Sequence, residues 1–449
     1  MRLALLNQIC IHRGFRQPLL RTIGAYGIAS LILSGCAPQR FAQLSPEADG
    51  TRQRIAELIT GLSEALDDPS IYDVSNAQDT RSYYPRISAP YWIIPTLKLP
   101  DRVKPQKANN NVSICIYQGR LYVAFRTAPH HFASRKAVLY VISSSDLLHW
   151  RKELIIREGR DVREPHLVVL EDTLHLYYFV GGTSPWAFEP ATIRHYTGVG
   201  TAWQQESDCL LPGEVPWDIK KRFGRLFMTS YRGAHYKLWG PGEVEVYFKM
   251  SVDGRAFRPV GDTLVAYKGG VSECTFEFDA DSTLWIVTRL DDGDQTGFGS
   301  HVGRAHGAAW HRWQLAPPDP HCYMSPKLFR HRDLLYLIAR RQLSDRPFGW
   351  ANRKLPLWTQ RLLNWITFSL SPMTTSLYRL DKLTRKVVWV TDLPGSGDTA
   401  FPSIQRLTEN TFLIANYSSP LSRSPTWLRG QLGPTGIYLL LLDFAPSSR

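Results

Sequence analysis

The chain has 449 residues, a formal net charge of +13, 43% hydrophobic and 21% charged residues, which excludes disorder as its main state. Aromatics reach 12%, and 30 Pro and 32 Gly are dispersed without a period, a mixture that suits many short strands joined by turns. Arg2, Arg13, Arg16 and Arg21 precede the first acidic residue, Glu47, and without those four the +13 falls to +9. That excess suits an anionic partner such as an acidic glycan or phospholipid headgroups. Lys and Arg form no long run, so nucleic acid is not expected as a partner.

The first predicted element is a basic stretch to Arg21, then the apolar run 23–33, then Leu33-Ser34-Gly35-Cys36. The run is short of the roughly 20 residues a spanning helix needs. The pattern resembles a bacterial lipoprotein signal over residues 1–35. The resemblance implies cleavage before Cys36, lipidation of its thiol and an exported chain anchored in the cell envelope; an uncleaved anchor is the alternative. Ala37 in place of Asp after the cysteine implies the outer membrane, if the cell has two. Cys115, Cys209, Cys274 and Cys322 remain in the body with no C-x-x-C pair, so neither a metal site nor a cofactor is expected. A Cys274–Cys322 disulfide is permitted in that compartment, but buried free thiols are the expectation.

Residues 36–90 read as a linker and one amphipathic helix over 47–66, where Ile55, Leu58, Ile59, Leu62 and Leu66 recur at helical spacing. From about residue 108 the chain repeats a unit of roughly 50 residues, each a strand, a polar turn and a second apolar strand. Six units align, with Pro165, Pro326 and Pro402 at one equivalent position. Outer strands follow, as at 137–143 and 244–250. Six four-stranded units, each with a face it cannot bury alone, predict an all-β fold, a six-bladed β-propeller over 91–446. The last unit lacks a strand, which 91–97 is expected to supply, closing the ring and removing open edges. An insertion in blade five, 341–372, is rich in Trp and Leu and should lie on the cavity face as a lid, a docking helix or a membrane contact, or else pack on the ring.

In such a ring the starts of the innermost strands and the ends of the second strands surround one central cavity. The starts carry Asn111, Glu164, Asp218, Glu273, Ser325 and Phe401; the ends carry Arg126, Phe179, Tyr231, Arg289, Arg340 and Tyr417. Ser272-Glu273-Cys274-Thr275 followed by Arg289, then Arg340, then Ala415-Asn416-Tyr417-Ser418-Ser419, resemble the sialidase superfamily. The resemblance implies Tyr417 as nucleophile with Glu273 taking its proton, and Arg126, Arg289 and Arg340 gripping a sugar carboxylate. The first half departs from it. Blade one opens with Asn110-Asn111-Val112, although Arg163-Glu164-Pro165 in blade two has the family's shape. The loop 127–136 holds no Asp or Glu, so the family's acid has no counterpart there, while His130 and His131 in that loop are placed to contact ligand.

A second set, Arg163-Glu164-Pro165, Glu273-Cys274 and Ser145-Asp146-Leu147-Leu148-His149-Trp150, resembles five-bladed furanosidases of the invertase and arabinanase group. That resemblance implies catalysis by Glu164, Asp218 and Glu273. The expected function is glycoside hydrolysis of an acidic sugar at the cavity. The alternatives are a carboxylate-based furanosidase and a non-catalytic glycan-binding lipoprotein.

Overall fold

The computed structural model describes residues 45–68, 82–95, 98–184, 189–199, 202–207, 211–235, 243–344 and 354–447. The signal-like segment, Cys36 and Cys209 lie outside them. Six antiparallel sheets follow one another along the chain, each numbered here as a blade. Blade 1 holds Ala108–Tyr117, Arg120–Ala128, Val138–Ser144 and Arg151–Ile156, and blade 2 holds Val162–Leu170, Thr173–Val180, Thr192–Val199 and Ala202–Gln205. Blade 3 starts with Glu214–Arg222, Arg225–Gly233 and Val244–Ser251; blade 4 with Cys274–Phe278 and Leu284–Thr288; blade 5 with Met324–His331, Leu334–Gln342 and Met373–Asp381. The inner hairpins of blades 1, 2 and 3 turn on pairs with positive φ at both residues, Gln118-Gly119, Glu171-Asp172 and Phe223-Gly224. This geometry matches the twist of the flanking strands.

Blade 6 closes the ring. Ser403–Arg406, Thr411–Ser418 and Gly436–Pro446 come from the end of the chain. The outer edge of Gly436–Pro446 pairs with Tyr91–Ile94, as expected, and also with Tyr83–Ile87, which the sequence pattern did not reveal. Neighbouring blades share separate apolar cores: Leu139 and Val141 with Leu167 and Leu176, Trp285 and Val287 with Leu335 and Leu337, Phe329 and Ile338 with Phe412 and Leu440. The six-bladed propeller is therefore stable as a ring of interfaces, which lets it exceed the size of a single core.

Helix α1, Pro46–Thr60, starts at Ser45, whose hydroxyl accepts the Ala48 amide at 3.2 Å, with Pro46 in the first turn. It buries Ala48, Thr51, Ile55 and Ile59 against blades 6 and 1. The helix is shorter than the expected 47–66 because it ends at Gly61. Leu62 still packs on the same core, and the chain then turns under the ring. There Asp68 accepts the Phe223 and Gly224 amides at 2.7 and 2.9 Å, Glu64 pairs with Lys221 at 2.9 Å, and Asp67 accepts the Arg406 amide at 3.0 Å. This segment, with residues 218–222 and 327–329 well along the inner strands, bounds a channel of about 110 Å³ on the face opposite the strand starts.

The blade 5 insertion contains helix α2, Leu357–Ser369, and blade 6 carries a short helix α3, Trp427–Leu432; the two touch through Phe368 and Trp427. Both lie on the cavity face. Fully buried Arg361 of α2 donates to the Asp292 carbonyl at 2.7 Å, which ties the helix to blade 4. Among the described residues no helix is long and apolar enough to cross a membrane. Cys115, Cys274 and Cys322 are free thiols, so the permitted Cys274–Cys322 disulfide is not formed.

Candidate active site

The inner strands of blades 1, 2, 5 and 6 share one local device. Asn111, Glu164, Ser325 and Phe401 all have left-handed backbone, with φ of 47°, 50°, 51° and 67°. The first three sit where the strand register slips against its neighbour. Three of the four precede the equivalent prolines, and proline disfavours right-handed helical geometry in the residue before it. A non-glycine residue in this region is uncommon, and four at one repeat position mark a built feature. The bulge turns these side chains toward the axis of the ring. The Asn111 amide, one Glu164 oxygen and the Ser325 hydroxyl are buried there without a protein partner, an arrangement that costs stability unless a ligand or water completes it.

Above this ring lies a cavity of about 350 Å³. Glu164, Glu273 and Asp291 supply its carboxylates, Arg163, Arg289 and Arg340 its guanidiniums, and Phe132, Tyr231, Trp365, Phe401 and Trp427 its aromatic wall. The α2 insertion contributes Trp365, Phe368 and Ser369, which places it at the cavity mouth as expected.

Glu164 and Glu273 are treated differently by their surroundings. Glu273 accepts from Arg289 on one oxygen and from the Ser325 amide at 2.7 Å on the other. Glu164 is buried and its Oε2 has no partner. Burial first, and then the negative charge of Glu273, push its carboxyl well above the ordinary range, which favours its protonated form.

The arginines also divide. Arg126 was expected to face ligand, but it is fully buried and pinned by Asp161 at 2.9 Å, the Asn110 side chain at 3.2 Å and the Phe132 carbonyl at 3.0 Å. Its environment supports the blade 1 loop and does not line the cavity, because Asp161, at the start of blade 2, captures it. Burial pushes the Arg126 guanidinium down to about 10. Arg163 lines the cavity while pairing with Asp161 and donating to the His131 carbonyl at 2.6 Å. Arg289 is held by Glu273 and by Asp291 at 2.6 Å. Arg340 donates to the Thr399 carbonyl at 2.8 Å and, among the described residues, has no carboxylate in ion-pair contact.

Tyr417 lies behind this wall. It is completely buried, in tilted ring contact with His131 and Phe401, and its hydroxyl donates to Asp398 at 2.9 Å. Its partners are Asp398 and, at 3.5 Å, Arg340; the expected pairing with Glu273 is replaced by this one. Burial and the charge of Asp398 push the phenol well above its usual value. Asp398 also receives Gln431 at 2.6 Å and His131 Nδ1 at 2.6 Å.

Asp218 is separated from Glu164 and Glu273. It lines the channel on the opposite face, where Lys327 at 2.9 Å, Lys220 at 3.2 Å and Thr275 at 2.6 Å surround it. Burial works against its charge, but these lysines outweigh burial and hold it far below the ordinary range. Its position one residue past the bulge, below Trp217, turns it away from the cavity. The sequence motif 144–150 forms a peripheral turn, where Asp146 accepts the Leu148 and His149 amides at 2.9 and 2.8 Å.

One group of side chains has metal-ligand character: His235, Asp291 and Asp292, with ligand atoms within 4.8 Å of one another. His235 Nδ1 meets Asp292 at 2.8 Å and Arg289 meets Asp291 at 2.6 Å, so protein groups already engage both carboxylates.

No protein-family model and no curated protein matches the chain. Among solved structures, a Dyadobacter fermentans protein of unknown function superposes with a TM-score of 0.54 at 14% identity, over 75% of this chain and 95% of that one. The phage phi92 endosialidase gives 0.51 at 10% identity, over 77% and 69% of the two chains. The fold is that of the sialidase propellers. The Trypanosoma rangeli sialidase, at 12% identity and a TM-score of 0.50, covers 80% of this chain, which spans 59% of that enzyme. The six-bladed ring that the repeat and the sialidase resemblance implied is thus present. Asp161 reads in the sequence as a neutralising partner of Arg126 and Arg163, which it is; Asp291, Asp398, Gln431 and Trp427 are not singled out there. Asp398, in Gly397-Asp398-Thr399 just ahead of left-handed Phe401 in blade 6, is the one with a usable signal, a carboxylate beside a repeat position.

Proposed function

We propose that the protein is a glycoside hydrolase in which Glu164 is the general acid and Glu273 the partner carboxylate. The observation that carries this reading is their shared cavity with opposite treatment: Glu164 is buried, has a bare oxygen and is pushed toward its protonated form, whereas both oxygens of Glu273 are engaged by donors. Two carboxyls whose environments separate their protonation states are what acid-assisted cleavage of a glycosidic bond requires. Glu164 would protonate the leaving oxygen while Glu273 stabilises or attacks the oxocarbenium-like centre, or activates a water there. The aromatic wall suits the apolar faces of a sugar.

Tyr417 does not serve as nucleophile in this reading, since its hydroxyl is fully buried and turned to Asp398. Arg340, the cavity arginine without an ion-pair partner, favours an anionic sugar. The 1–35 signal pattern supports an exported enzyme tethered through Cys36. A panel of chromogenic acidic and neutral glycosides tests the reading: turnover of at least one by wild type is expected, with Glu164→Gln lowering kcat by roughly 10²- to 10⁴-fold on a poor leaving group. Undiminished turnover in Glu164→Gln would overturn it.

A further inference from the structure

The cavity has a second titratable centre that the carboxylate mechanism leaves unused. His131 lies in the loop after the second strand of blade 1 and is fixed on three sides. Its amide donates to the Gln431 carbonyl at 2.9 Å, its carbonyl accepts from Arg163 at 2.6 Å, and its Nδ1 meets Asp398 at 2.6 Å. Phe401 and Tyr417 contact the ring at centroid distances of 6.5 and 5.9 Å. The Gln431 amide nitrogen lies 3.1 Å from His131 Nδ1 but makes its shorter bond, 2.6 Å, to Asp398, which also takes the Tyr417 hydroxyl; with the ionised carboxylate an acceptor only, the 2.6 Å contact assigns the hydrogen to Nδ1 of His131. With Nδ1 committed, Nε2 bears the lone pair. His131 is itself a wall residue of the cavity, and Nε2 is its remaining polar atom.

We infer that His131 is a cavity-facing base, oriented by Asp398, whose Nε2 accepts a proton from an O–H group of the bound ligand or of water. The proton passes from that oxygen to Nε2, the imidazolium is balanced by the adjacent Asp398 carboxylate, and the ligand oxygen is left as a nucleophile or as a strong hydrogen-bond acceptor. The charged and titratable groups around the ring are Asp398 and Tyr417 from blade 6, Arg163 with Asp161 from blade 2, Arg126 from blade 1 and Arg340 from blade 5. Burial, assisted by Arg163 and Arg126, lowers the imidazole below its usual value, while Asp398 opposes that fall, so the ring is neutral and basic at neutral pH. This inference makes no use of Glu164 or Glu273 and stands or falls separately from the hydrolase reading.

The test is acylation of the full chain with diethyl pyrocarbonate, which reacts at a neutral, accessible imidazole nitrogen, measured across pH by fragment mass spectrometry that separates His131 from His130. His131 should be modified in folded wild type, with a rate midpoint below the ordinary imidazole value. In Asp398→Asn the midpoint should fall by about one further pH unit, because an opposite charge in contact is lost. In Tyr417→Phe, which removes a competing donor and is the milder substitution, it should rise by a smaller amount. Glu164→Gln should leave it unchanged. Failure of wild-type His131 to react, or one midpoint for wild type and every folded variant of Asp398 and Tyr417, would overturn the inference.

Discussion

The Tyr417 hydroxyl gives its hydrogen to Asp398 across 2.9 Å inside a fully buried pocket. A phenol so placed braces the carboxylate that holds His131, and it is shielded from any sugar in the cavity by His131 and Phe401.

Tyr417→Phe should therefore reduce stability by about 1.5 to 3 kcal/mol, the usual value of a hydrogen bond to a charged group, and leave most glycosidase turnover in place. Denaturant melts and initial rates on the same preparation check this. A loss of turnover as large as that of Glu164→Gln, with normal folding, would restore the tyrosine as nucleophile.

Glu164 gives the protein a pH signature. Its folded pKa lies above the unfolded one, so its contribution to stability is complete below the ordinary carboxylate value and is lost as pH rises through the raised native value. Wild type should lose stability across that window, and Glu164→Gln should lose less of it. Turnover should fall along the same alkaline limb, since the acid must be protonated to act. Parallel thermal melts and pH–rate profiles of the two proteins provide the measurement.

Asp218→Asn should behave as a structural lesion. It leaves Lys327 and Lys220 facing one another in a buried channel without their shared carboxylate, which costs about 3 kcal/mol by analogy with other broken buried pairs. Glu164 feels Lys327 only as a charge and Glu273 keeps its own partners, so kcat of the folded fraction should be near wild type. Complete inactivity of a well-folded Asp218→Asn protein would favour the furanosidase-type reading.

Arg126 and Arg340 should separate cleanly. Arg126→Ala strips Asp161 and two loop carbonyls of a fully buried donor and should cost about 3 to 5 kcal/mol of stability. Arg340→Ala should melt within about 1 kcal/mol of wild type, because it gives up chiefly a hydrogen bond to the Thr399 carbonyl, yet weaken binding of acidic sugars and remove its salt dependence. Calorimetric titration at two ionic strengths decides this, and unchanged affinity would rule out Arg340 as the anion contact.

The proposed lipid anchor rests on residues 1–36 alone. Wild type expressed in a bacterial host should enter the detergent phase and Cys36→Ser the aqueous phase. Identical partitioning of both in the aqueous phase would remove the anchor.

The sequence by itself determined the ring. The strand–turn–strand period, the proline at one equivalent position in blades 2, 5 and 6, and the missing last strand are local patterns, and each blade needs a neighbour to cover its apolar faces, so six repeats imply closure. The same pattern placed Glu164, Glu273, Arg289 and Arg340 at one cavity, since repeat position fixes which strand end a residue occupies. Only the tertiary structure decided what each side chain meets there. Asp161 captures Arg126, Asp398 captures Tyr417 and His131, and two lysines draw Asp218 into the opposite channel. His131 and Asp398 are 267 positions apart and come from the first and last blades, which touch because the ring closes. Partnership across such a seam depends on ångström-scale side-chain reach and on competition among charges. No pattern along the chain encodes either.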